Sequence, residues 1–123
     1  TVPTIEFGGT FLLRMLRTSE RGYMDNPIRQ NLFRAGHAHA GVIVILSLIS
    51  QLFADGLALP DAVSLIARLG APCAAILMPL GFFLSVASPQ AQKPNKLISL
   101  VYIGALLLAV SMLVLGIALV RAV

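Results

Sequence analysis

Apolar residues run almost unbroken through three stretches of the chain and dominate a shorter one at its start. A helix needs about 20 apolar residues to cross a hydrocarbon core about 30 Å thick. Residues 35–54, AGHAHAGVIVILSLISQLFA, have that length and stop at Asp55-Gly56, a polar residue followed by glycine. Residues 69–87 follow a lead-in that begins at Pro60-Asp61, with Arg68 at the boundary, and Pro72 and Pro79 predict kinks inside the segment. Residues 97–120 come next, with Asn95 placed to cap their start and Arg121 closing them. Residues 1–13 are too short to cross alone and read as the inner part of a helix that extends upstream or lies at an angle. With lead-ins included, the expected helices cover about 1–16, 35–54, 62–87 and 96–121, joined at the first and third connections by loops 17–34 and 88–95.

Lipid offers no partner to backbone N–H and C=O groups, so such segments are helices, and short connections make consecutive helices antiparallel neighbours. The pattern therefore predicts an all-α fold: one integral membrane bundle of four transmembrane helices, the first truncated at its N-terminus. Composition agrees. The chain has 123 residues, 58% hydrophobic and 11% charged, against about 25% charged in an ordinary soluble domain. The net charge of +4 comes from basic residues at the ends of apolar runs, not from a basic face, which argues against nucleic-acid binding. The single cysteine, Cys73, excludes an intrachain disulfide and a multi-cysteine metal site within one chain.

Charge also sets orientation. Arg14, Arg17, Arg21, Arg29 and Arg34 fall in the first connection and Lys93 and Lys96 in the third, whereas the second carries Asp55 and Asp61 with no basic residue before Arg68. Basic loops stay on the cytoplasmic side, so loops one and three are expected there, with both termini outside. Anionic lipid headgroups are the expected neighbours of these arginines.

Ionisable residues at membrane depth suggest a site with a partner. His37 and His39 enter the membrane at the start of the second expected span, about 200° apart on an ideal helix, so the two imidazoles do not face one point unless the turn at Gly36 is irregular. Glu6 precedes Arg14 by eight residues, about 12 Å of rise, and His39 follows Arg34 by five, about 7.5 Å. Counted from the inner helix ends, Glu6, His39, Tyr102 and Ser85 share a layer in the cytoplasmic half. That layer has three uses open to it. A carboxylate can orient an imidazole that ligates a metal; Glu, His and Tyr can pass protons; or the groups can simply hydrogen-bond between helices. His37 and His39 are thus the candidate metal ligands, for haem b, copper or another transition metal, with Glu6 and Tyr102 as further candidate cofactor contacts. Met78, Met112 and Phe82-Phe83 suit a lipid or quinone pocket as well as ordinary packing. No Ser-His-Asp order, phosphate-binding glycine loop or HExxH helix is present.

The segment Phe33-Arg34-Ala35-Gly36-His37-Ala38-His39-Ala40-Gly41-Val42, followed by Ile45-Leu46-Ser47-Leu48, resembles a group of small bacterial four-helix membrane proteins. Glu6-Phe7-Gly8-Gly9 and Met78-Pro79-Leu80-Gly81-Phe82-Phe83 look like further parts of the same pattern. That likeness implies a bacterial cytoplasmic membrane protein and supplies no activity. His37-Ala38-His39 is also similar, locally, to the His-Ala-His helix start in small proteins resembling the catalytic subunit of haem–copper oxidases, which implies haem or metal ligation by that pair. Three functions stand as expectations. The first is a noncatalytic accessory or structural subunit, lodged in the bilayer as a homo-oligomer or within a larger complex. The second is a haem- or metal-binding redox protein using His37 and His39, and the third a proton-coupled transporter or channel.

Overall fold

Asn26 and Pro27 begin the longest helix in the chain. The Asn26 side-chain oxygen accepts the Arg29 backbone N–H at 3.0 Å, and Pro27 occupies the first helical turn, where its missing N–H costs nothing. A computed structural model describes residues 2–122, and every regular element among them is helical. The helices are α1 (Val2–Arg17), the single turn α2 (Arg21–Met24), α3 (Pro27–Asp55), α4 (Asp61–Ser85) and α5 (Ser99–Ala122), with a 3-10 turn at Lys96–Ile98 leading into α5. Three stretches are long and apolar enough to cross a membrane: Pro27–Asp55, Asp61–Ser85 and Lys96–Ala122.

The expected loop 17–34 is therefore mostly helix, because α2 and the first two turns of α3 occupy it. At 29 residues α3 is about 44 Å long, more than a hydrocarbon core needs, so its arginine-bearing first turns extend the helix past the apolar segment. The 88–95 connection is non-helical, and Asn95 caps the 3-10 turn by accepting the Leu97 N–H at 2.8 Å.

Helix α4 is the centre of the packing, with α3 on one side and α5 on the other, while α1 packs against α3. Small residues set the α4–α5 seam. A Cβ added to Gly104 would lie 2.6 Å from Met78 Cγ, and one added to Gly81 would lie 2.8 Å from the Val101 backbone N. Ser111, fully buried, donates its hydroxyl across the seam to the Ala67 carbonyl at 3.0 Å. Pro72 deprives the Arg68 carbonyl of its helical donor, and Gln51 of α3 supplies a replacement from Nε2 at 2.7 Å. At the same end Arg68 forms an ion pair with Asp55.

At the opposite, basic end the connections are tied together. Asn26 donates to the carbonyls of Pro89 and Ala91, and Asn95 donates to that of Leu84. Arg29 is buried, with only 6% of its surface accessible, and it donates to three carbonyls, those of Gly22, Val86 and Ala87. Beneath it Leu12, Met15, Tyr23, Phe33 and Val86 form one apolar cluster. These contacts put residues 21–29 and 86–95 at a common end, as the charge pattern requires.

Candidate functional site

His37 and His39 lie on α3, where the helical rotation sends them to different neighbours. The His37 ring lies against α1: a Cβ added to Gly9 would sit 3.2 Å from its Cε1, and one added to Gly8 would sit 3.5 Å from its Nδ1. Gly9 is the position where a side chain would crowd the imidazole; at Gly8 the added atom would make an ordinary contact. His37 has no hydrogen-bond partner among the described residues. His39 turns toward α4, where its ring meets Phe82 with centroids 5.0 Å apart. Its Nδ1 is 2.7 Å from the Ala35 carbonyl. A carbonyl only accepts, so Nδ1 carries the proton and Nε2 of the neutral ring is bare.

The remaining residues of the expected layer do not converge on His39 within one chain. On α1 the face toward α3 is built from Ile5, Gly8, Gly9, Leu12 and Met15, at helical spacing. Glu6 lies on the opposite side with Thr10 and Arg17; it is exposed and has no hydrogen bond or ion pair among the described residues. Tyr102 is 70% exposed on the outside of α5. Ser85 is buried and donates to Phe82 of its own helix. Among the described residues no three His, Cys, Asp or Glu side chains come together.

Of the residues suited to a pocket, Met78 packs with Ile43, Ala74 and Ala75 in the core, and Met112 lies 3.8 Å from the Ser50 hydroxyl. Phe83 does line a cavity. It belongs to a groove of about 340 Å³ between α1, α3 and α4, which also takes in His37, Thr4, Val44 and Pro79. Of this groove the sequence reading named Phe83 but not His37 or the α1 wall, and it missed Arg29 as a buried group. The glycine pair at 8–9 and the proline at 79 were the available signals for the groove; for Arg29 the signal was the Asn26-Pro27 cap, which turns a loop arginine into a helical one.

The fold is thus a membrane-type helical assembly with one imidazole opening into an interhelical groove and a second fixed by a backbone carbonyl. Comparison with protein-family models, curated proteins and solved structures gave no match to this chain.

Proposed function

We propose that the chain is a small, noncatalytic integral membrane subunit, a four-helix bundle in which α3, α4 and α5 span the bilayer and α1 enters it from the basic end as a partial span. The basic end is cytoplasmic and the C-terminus lies outside, in a bacterial inner membrane. The observation that carries the subunit reading is Glu6. A carboxylate on the outward face of α1, one helix away from the apolar part of α3 and without a hydrogen bond or ion pair among the described residues, is costly to leave facing hydrocarbon. A neighbouring chain, either a second copy or a larger membrane complex, covers it. Thr10 lies one turn away on the same stripe, so it marks the contact.

A single-cysteine panel tests this in native membranes, in a Cys73→Ala background; Cys73 is exposed, which makes that change mild. Arg21→Cys is expected to label from the cytoplasm, Leu57→Cys from outside, and Thr10→Cys to crosslink to another chain. Reversed labelling would overturn the orientation. Loss of the chain on alkaline carbonate extraction would overturn membrane insertion, and a Thr10→Cys chain that stays uncrosslinked while fully reactive to lipid-soluble maleimide would overturn the covered α1 face.

A second reading is favoured by His39. Its Nδ1–H to the Ala35 carbonyl is the arrangement that orients an imidazole for ligation through Nε2, so His39 suits an axial or metal ligand completed by another chain. An oxidised-minus-reduced visible spectrum and metal analysis of the purified protein test it. His39→Ala is expected to lower haem or metal content more than His37→Ala; equal retention in both variants and in the double variant would sink the idea.

A further inference from the structure

Helix α4 contains two prolines, and each removes the N–H that the carbonyl four residues earlier would have accepted. Gln51 compensates at the first, Pro72. At the second, Pro79, the carbonyl is that of Ala75, and no side chain among the described residues donates to it. Ala75 and Pro79 both line the groove that His37 enters. The groove therefore combines apolar walls with an imidazole that has no hydrogen-bond partner among the described residues and with Ala75, whose carbonyl is short of its helical donor.

The groove runs along the bundle. His37, Gly8 and Phe83 lie toward its basic end, and Thr4, Val44 and Ile76 toward the middle of the spans. From His37 to Val44 is seven residues of α3, about 10 Å of rise. Its lip is formed by Ile76 and Leu80, which are 50% and 42% exposed on the side that faces lipid in the membrane-subunit reading. At about 340 Å³ it lies near the lower end of the small-molecule range of ~300–1,000 Å³. A single substituted ring and the start of a tail fill that space.

We propose that this groove binds the ring of a lipid-soluble quinol, a para-dihydroxylated ring on an apolar tail, with one hydroxyl paired to the His37 imidazole and the other donating to the Ala75 carbonyl. The proposal rests on the membrane-subunit reading, because only a bilayer-dissolved ligand meets the lip at Ile76 and Leu80. A hydroxyl donates and accepts, so it pairs with either tautomer of His37. Phospholipids and fatty acids bring no donor to the depth of Ala75. A quinone carries two acceptors and satisfies only His37, so the reduced form is preferred over the oxidised one.

The test uses the full chain in nanodiscs of zwitterionic lipid, titrated anaerobically with a benzoquinol carrying a ten-carbon tail, the matching benzoquinone, or oleate. Binding is read from the His37 side-chain nitrogen resonances and, for the variants, from equilibrium retention of the ligand. The quinol is expected to bind saturably and about tenfold more tightly than the quinone. His37→Leu should weaken quinol binding about tenfold or more, and Leu80→Trp, at the exposed lip, should block the groove while leaving the far-UV circular dichroism unchanged. Absence of saturable quinol binding to correctly inserted wild-type chain would overturn the proposal and leave the membrane reading standing. Unchanged affinity in both variants, or equal competition by oleate, would overturn it in favour of a slot for lipid tails. A chain that fails carbonate-resistant insertion would remove the premise instead, so the two failures are told apart.

Discussion

Arg29→Met is expected to destabilise the fold by about 3 kcal/mol, whereas Arg34→Met, five residues along the same helix and exposed, changes it by less than about 0.5 kcal/mol. Among the described residues Arg29 is the one charged side chain that is buried, at 6% accessibility. Its Nη1 donates to Gly22 at 2.8 Å, its Nε to Val86 and its Nη2 to Ala87, both at 3.3 Å, and the guanidinium carbon lies 4.8 Å from the centre of the Phe33 ring. Hydrogen bonds from a charged donor contribute about 1.5–3 kcal/mol each. Two of these are long, and the bonds to Gly22 and Ala87 are only partly buried, so water recovers part of the loss and the sum is scaled down accordingly. Val86 and Ala87 lie directly after the end of α4, where the helix carries partial negative charge that a cation offsets. Arg29→Lys is expected to restore less than half of the stability, because one ammonium does not present donors to Gly22 and to the α4 terminus in the planar fork that a guanidinium does. Unfolding by SDS in mixed micelles, monitored by circular dichroism, reads all three variants. Equal losses for Arg29→Met and Arg34→Met would mean that positive charge at this end matters and the carbonyl geometry does not.

The three long apolar helices and the common end of the basic connections were legible because both rest on long-range sums, apolar length and the sidedness of charge, that no single contact overrides. The start of α3 was not. Charge alone assigns Arg29 and Arg34 to a loop, although Asn26 followed by Pro27 is a helix-start signal that needs no tertiary contact to act. The candidate layer was a reading of depth alone. Helix rise placed Glu6, His39 and Tyr102 at comparable depths, but depth says nothing about which way a helix is turned. The facing of α1 is decided by Gly8, Gly9 and Leu12, which let α3 approach, and that turns Glu6 outward. On α5 the inward positions are Val101, Gly104, Leu108, Ser111 and Leu115, a run at helical spacing that leaves Tyr102 about 140° from the centre of the seam. The small residues that mark these faces were visible in the sequence. What they pack against was not, because near-uniform hydrophobicity removes the polar face that would ordinarily orient a helix.

The α4–α5 seam gives the second large effect, and it separates two glycines that look alike in sequence. A Cβ added to Gly70 would meet the Ser111 side chain and come within 2.8 Å of the Leu107 carbonyl oxygen, which is backbone and does not swing away. Gly70→Ala is therefore expected to cost about 2 kcal/mol, in the range of overpacking, by forcing the two helices apart. The same displacement pulls Ser111 from the Ala67 carbonyl. Gly116, on α5, has nothing within 4 Å of the added atom. Gly116→Ala should leave the fold unchanged or raise its stability by up to about 1 kcal/mol through helix propensity. Both are read by the SDS unfolding assay, with purified chain at concentrations where it is monomeric. Opposite signs would show that Gly70 serves close approach between helices, since a general need for flexible backbone would penalise both. In native membranes the comparison reports on assembly: Gly116→Ala that is harmless in micelles but lowers recovery of the crosslinked species would place the partner chain on the outer face of α5 as well as on α1.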